Sequence, residues 1–231
     1  MFLACGPQEE EGPDEQPIDE TGMTEEELRL GVVTDERPEV VLVQINSIGW
    51  CSGTLVKSNV VLTAAHCLGF HTDASAVGYY GKVYVMKGGK YLHYVTFNAY
   101  RSFGSSPGSN DVALLHLSSP MPGNFARPAP IANRTAAIGT WQKIYGFGSR
   151  TCTALPKGGW TNLTALDWRK RVRSFQSGQN AHAGCPGDSG GPVFAQNAIV
   201  NVESAEVAPN TDIYAIPSSV LGPLRAQLAS W

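Results

Sequence analysis

From residue 38 onward, short apolar runs alternate with turn residues at a spacing that suits strands. Val40-Val41-Leu42-Val43-Gln44-Ile45 is rich in β-branched residues and bounded by Pro38 and Asn46, which predicts a strand. Cys51 to Val56 and Val60 to Thr63 follow, with Lys57-Ser58-Asn59 as the turn between them. Val83-Tyr84-Val85-Met86 and Tyr94-Val95-Thr96-Phe97 flank Lys87-Gly88-Gly89-Lys90 and read as a hairpin. Val112 to Leu117 is dominated by apolar residues and reads as a buried strand. A Pro-rich crossing from Pro120 to Pro130 precedes a second set. That set comprises Lys143 to Gly148, Val193-Phe194, Ala198 to Val202 and Asp212 to Ile216. Only the end looks helical, with Val220, Leu221, Leu224, Leu228 and Trp231 on one face and Ser218 as a candidate cap. Pro223 is tolerated there only in the first turn.

Two strand sets joined by a crossing predict an all-β fold of two packed antiparallel barrels. The first covers about 38–120, the second about 135–216, and a C-terminal helix about 218–230. The 231 residues suit one or two domains, and the low charged fraction of 16% argues against a helical bundle. There is no run of 18 apolar residues, so no transmembrane helix is predicted. The net charge of −3 hides an asymmetry: residues 1–29 hold ten acids and one base, leaving the rest formally at +6. The acidic stretch reads as a disordered leader or linker, and 30–231 as the folded unit. The densest basic run, Arg169-Lys170-Arg171-Val172-Arg173, has no nucleic-acid motif beside it and reads as a solvated strand or loop.

Three segments carry chemistry. Gly187-Asp188-Ser189-Gly190-Gly191-Pro192 sets one serine among residues with almost no side chain, which suits a nucleophile flanked by free backbone N–H groups. Thr63-Ala64-Ala65-His66-Cys67 and Asp111-Val112-Ala113-Leu114-Leu115 supply a histidine and an acid. The order His, Asp, Ser is one known solution to the triad geometry, and His66 and Asp111 fall in the first set while Ser189 falls in the second. An active site between the two barrels follows from that order.

With these motifs and the weaker Gly146-Phe147-Gly148, residues 38–231 resemble the trypsin/chymotrypsin family of serine endopeptidases. The resemblance implies two six-stranded antiparallel barrels with the active site in the cleft between them and a C-terminal helix. It implies Ser189 as nucleophile, His66 as general base and then acid, and Asp111 as the group that orients His66. The oxyanion hole falls to the N–H groups of Gly187 and Ser189. Asp188 matches the family acid that pairs with a new N-terminal amine after activation cleavage. The family's Ile-Val-Gly-Gly start is missing; the closest stretch is Leu30-Gly31-Val32-Val33 after Arg29, so Asp188 either receives that amine or finds another partner. Cys51 and Cys67 match a family disulfide. Cys185 matches a cysteine whose usual partner is absent here, which suggests Cys152 instead, the alternative being two free thiols. The floor of the specificity pocket falls on Ala183, its wall on Asn201-Val202-Glu203 in place of Ser-Trp-Gly, and Asp212 on its far side, where an acid could attract a basic side chain. A catalytically silent homologue acting as a binding module is the alternative function, kept open by the altered wall and activation sequence.

Phe2-Leu3-Ala4-Cys5 looks like the end of a bacterial lipoprotein signal, though four residues cannot supply the charged and apolar parts of one. Either Cys5 is lipidated and tethers a bacterial surface protein through the acidic stretch, or the match is accidental. No cofactor or metal is expected, and the region of the family's calcium loop, about 73–92, has only Asp73. Expected partners are a protein or peptide substrate and no nucleic acid, with membrane contact only through lipid on Cys5 and a monomeric state. Cysteine usage points to an extracytoplasmic, secreted or surface location. Asn133-Arg134-Thr135 and Asn162-Leu163-Thr164 are glycosylation sequons, relevant only in a eukaryotic host.

Overall fold

The computed structural model describes residues 32–46, 49–70, 80–108, 110–137, 140–148, 164–169, 187–208, 211–215 and 217–231. Six strands close a barrel: β2 (Val40–Ile45), β3 (Gly49–Lys57), β4 (Val60–Thr63), β5 (Gly81–Lys87), β6 (Lys90–Ser102) and β7 (Ala113–Leu117). Their order is β2-β3-β4-β7-β6-β5, and β5 returns to β2 in antiparallel register. Closure leaves no barrel strand with an open edge. The predicted strands are all present, but β6 runs much further than its apolar part. Its exposed residues alternate with buried Val95 and Phe97 and again with Tyr100 and Ser102, the alternation slipping by one residue at the register shift between Phe97 and Ala99.

The other strands form a six-stranded sheet: β1 (Val32–Val33), β8 (Trp141–Gly146), β9 (Thr164–Arg169), β10 (Pro192–Ala195), β11 (Ala198–Ala208) and β12 (Thr211–Ala215). Its order is β1-β9-β8-β10-β11-β12, all pairs antiparallel. The all-β architecture with a C-terminal helix is as expected. β1 and β9 were not foreseen, and the basic run taken for a strand or loop begins at the last residue of β9. β11 is twice as long as its apolar part suggests and bends at two register shifts.

One apolar cluster spans both halves, running from Leu42, Leu62, Phe97 and Leu114 in the barrel to Phe147, Phe194 and Val202 in the sheet. Burial of these side chains stabilises each by about 1.5–3 kcal/mol. The chain ends in a 3₁₀ turn, Pro217–Val220, and helix α1, Leu221–Ser230. Ser218 lies inside the 3₁₀ turn and Val220 occupies the cap position without a side-chain cap bond, so the expected cap is not used. Pro223 does fall in the first turn of α1.

Helix α1 follows the sheet in sequence but packs on the barrel. Leu224 is fully buried, and Lys57 Nζ donates to Leu228 O at 2.9 Å. Asn59 Nδ2 donates to Trp231 O at 3.0 Å and sits 3.0 Å from His116 Nε2, whose ring stacks on Trp231 at 5.0 Å. At the other end, the stretch after β1 is tied to the sheet. Arg37 lies over the Phe194 ring at 4.5 Å, and the Tyr145 hydroxyl donates to Glu36.

Candidate active site

His66 opens a one-turn 3₁₀ helix, His66–Leu68, directly after β4 and Ala64-Ala65. Cys67, the next residue, is joined to Cys51 of β3 by a disulfide. A closed loop of this size contributes roughly 3 kcal/mol in the chain-entropy account, so the turn carrying His66 is anchored to the barrel wall. Asp111 precedes β7 and is completely buried. Its Oδ1 accepts the backbone N–H of His66 at 2.8 Å, and its Oδ2 accepts Nδ1 of the same residue at 2.8 Å. A third donor, Ser204 Oγ, reaches Oδ2 at 2.6 Å and itself accepts the N–H of Gly108 at 3.1 Å. Three donors offset the burial of the carboxylate. Because the carboxylate can only accept, the ring proton sits on Nδ1 and leaves Nε2 with an open lone pair. The His66 side chain remains 25% exposed.

The Gly187-Asp188-Ser189-Gly190 turn is held against this assembly. Ser189 O accepts the N–H of Ser52 in β3 at 2.8 Å. It also lies 3.8 Å from Cys67 Sγ, which is 3.9 Å from His66 Nε2. Gly190 has φ +81°, and a Cβ there would fall 2.1 Å from Thr63 Oγ1 and 2.4 Å from Ser52 O, so glycine alone lets the turn close on the barrel. Asp188 turns the other way. It is buried, and its Oδ1 accepts the N–H of Gly148 at 2.7 Å. A Cβ on Gly146 or Gly148 would lie within 2.1–2.3 Å of that carboxylate. Gly146-Phe147-Gly148 is therefore spaced by the acid it surrounds. Among the described residues, no acceptor is recorded for the N–H of Gly187 or Ser189.

The sequence-predicted pocket residues fare differently. Asn201, Val202 and Glu203 are covered, at 4%, 0% and 2% exposure. They are interior strand. The serine of this strand is Ser204, three residues after Asn201, and its hydroxyl donates to Asp111. Asp212 lies in β12, paired with Glu206 of β11. Ala183, Cys152, Cys185 and Cys5 lie outside the described residues. Cys51, His66 and Cys67 bring three metal-ligating residues together, but both sulfurs are spent in the disulfide. Two functional contacts had no local signal. Ser204 and Ser52 are unremarked strand serines whose partners lie 93 and 135 positions away.

A family model described as Trypsin matches residues 32–220. The chain belongs to the trypsin family. As a member of that serine-protease family it is similar to a trypsin of Sarcophaga bullata, 29% identical over 172 residues, 67% of this chain and 68% of that protein. Trypsin theta of Drosophila erecta is 28% identical over 179 residues, 67% and 66% of the two chains. Hypodermin-A of Hypoderma lineatum is 28% identical over 189 residues, 74% and 73%. These three relatives are insect proteins, and the bacterial lipoprotein origin expected from the N-terminal residues has no counterpart among them. No helix among the described residues is long and apolar enough to cross a membrane.

Proposed function

We propose that this trypsin-family chain is a serine endopeptidase acting outside the cytoplasm. The observation that carries the reading is the Asp111–His66 pair. A fully buried carboxylate accepts both His66 N–H groups at 2.8 Å, so Nε2 is the basic nitrogen, 3.9 Å from the Cys67 Sγ that itself lies 3.8 Å from Ser189 O. In this mechanism Ser189 Oγ attacks the scissile carbonyl carbon and its proton passes to His66 Nε2. The N–H groups of Gly187 and Ser189 bind the oxyanion. The imidazolium, stabilised by Asp111, then protonates the leaving amine, and water releases the acyl group by the same steps in reverse order. Family membership and the unencumbered N–H groups support the assignment, and the Cys51–Cys67 disulfide supports an oxidising compartment.

For substrate choice the reading favours a basic side chain next to the cleaved bond. Asp212 and Glu206 are directly paired across β11 and β12, two residues along from Ser204, which concentrates negative charge at one register position. Residues 1–29 serve as an acidic linker, with Cys5 as a lipid attachment point, and cleavage after Arg29 would free an amine two residues before β1.

The test is labelling by a fluorophosphonate probe, before and after cleavage near Arg29, beside Ser189→Ala. Labelling of the wild type and none of the variant is expected. Equal absence of labelling in both sinks the enzyme reading and favours a binding module. A peptide-library profile dominated by large apolar residues would refute the role of Asp212.

A further inference from the structure

Ser52 is a strand serine that trades both its backbone and its side chain across the two halves of the molecule. It is fully buried in β3. Its N–H donates to Ser189 O at 2.8 Å, and its carbonyl accepts Thr63 Oγ1 at 2.8 Å. The hydroxyl does more. Phe147 N–H points at Ser52 Oγ at 2.9 Å, and a backbone N–H can only donate, so this bond uses a lone pair. The single hydroxyl proton is then committed to the other neighbour, Gly187 O, at 2.7 Å. A closed circuit results, running from Ser52 to Gly187, through Asp188 to Gly148, and back through Phe147.

The consequence lies in which peptide planes are fixed. A peptide is planar, so holding its carbonyl also aims its N–H in the opposite direction. Asp188 O is held by Gly191 N–H at 2.8 Å, which fixes the plane carrying the Ser189 N–H. Ser189 O is held by the Ser52 N–H, and the Gly190 N–H of the same plane donates to Glu203 O at 2.8 Å. The plane between Gly187 and Asp188, which carries the Asp188 N–H and separates the planes of the two oxyanion-binding N–H groups, has its carbonyl held by the Ser52 hydroxyl. Gly187 sits at φ +103°, where a residue without Cβ turns easily, so an external hold matters most there.

The geometry points to Ser52 as a positioning residue whose hydroxyl, reaching from the barrel, holds the Gly187–Asp188 peptide and so limits rotation at Gly187 and Asp188, the two joints next to the planes that carry the oxyanion-binding N–H groups. This inference rests on the endopeptidase reading. The anion site is then assembled from both halves: the second contributes the donors and the first holds them in place. It does not act on substrate itself. Its loss should fall on the transition state, in which the oxyanion exists, and spare ground-state binding.

The experiment compares Ser52→Ala, Ser52→Cys and Ser52→Thr with wild type, with kcat expressed per site titrated by fluorophosphonate. Loss of a whole oxyanion donor costs ~100- to 1,000-fold, so loosening both without removing either is expected to lower kcat roughly 10- to 50-fold. KM should stay within about 2-fold, and affinity for a peptidyl boronate should fall in step with kcat. Thr, which keeps the hydroxyl, should restore most of what Ala loses. Where Ala fails to fold, Cys decides, being close in volume but a weak donor. Wild-type kcat per site in Ala or Cys, or a change confined to KM, overturns the inference while the enzyme reading stands. A wild type without Ser189-dependent labelling overturns the reading and this inference together.

Discussion

The barrel and the second sheet have the same number of strands but differ in how they are finished. The barrel closes on itself, its large side chains such as Leu42, Leu55, Leu62 and Phe97 are fully buried, and a disulfide crosses its wall. In the sheet, Ile144, Val193 and Val200 form a small separate cluster. Among the described residues, buried polar atoms without a hydrogen-bond partner include Gln142 Oε1 and Nε2 and Asn201 Oδ1 in the sheet and Ser102 Oγ in the barrel. The candidate triad divides along the same line. The barrel holds His66 and Asp111 by packing and covalent closure, whereas Ser189 is held by hydrogen bonds and glycines that let backbones touch. Rigidity on the barrel side and polar latching on the sheet side predict different responses to mutation.

The largest effect is expected on the barrel side. Asp111→Asn should keep the fold and the packing but present His66 in the wrong tautomer, lowering kcat by about 10⁴-fold. Pre-steady-state kinetics with an ester substrate should locate the loss in acylation. A loss under about 10-fold would mean that Asp111 only shapes the loop. Next comes Gly148→Ala on the sheet side, where a Cβ would meet the Asp188 carboxylate at 2.3–2.6 Å. Overpacking and a displaced charged acceptor together should cost about 3 kcal/mol in urea unfolding. Labelling of Ser189 should fall with it, while a barrel change of similar cost, Leu62→Ala, should leave labelling per folded molecule intact. Equal effects of the two on labelling would erase the contrast between the halves.

Much of this was legible beforehand because the decisive signals are local. Three motifs name His66, Asp111 and Ser189, and period-two or apolar runs mark ten of the strands. What was not legible depends on distant partners. β9, Thr-Ala-Leu-Asp-Trp-Arg, has neither an apolar run nor clean alternation, and is a strand because β8 and β1 pair with it. Ser52 and Ser204 look like any strand serine until the fold brings them to Gly187 and Asp111. The apolar run ending at Val202 gives no hint that β11 extends to Ala208.

Smaller effects sharpen the same contrast. Gln142→Leu removes a buried amide with no partner among the described residues and should raise sheet stability by about 1 kcal/mol. A denaturation midpoint that falls instead would mean that the amide is satisfied in solution. The smallest effect concerns acid. The hydrogen bond from Tyr145, with Lys143 beside it, holds the Glu36 carboxyl below its ordinary value of 4.5, against a smaller desolvation in the opposite sense. A lowered folded-state value means that the unfolded chain binds more protons, so this contribution is present above pH 4.5 and fades as pH drops through the folded value. Protection of residues 32–37 against hydrogen exchange, taken relative to the intrinsic rate at each pH, should therefore fall at low pH, and Glu36→Gln should flatten that dependence. No flattening would show that Glu36 does not anchor the segment.

The seating of α1 on the barrel has one further consequence. Lys57 and Asn59 hold the helix by its last carbonyls, so the segment that follows Ser189 seats its helix on the half that supplies His66. The crossing between the halves exposes Arg127, and the sole disulfide among the described residues lies wholly upstream of it. A nick at Arg127 should therefore yield two pieces that migrate apart under denaturing conditions yet stay one particle in native mass measurement. The molecule has the makings of a split protein, in which neither fragment carries the whole candidate triad and reassembly alone brings it together.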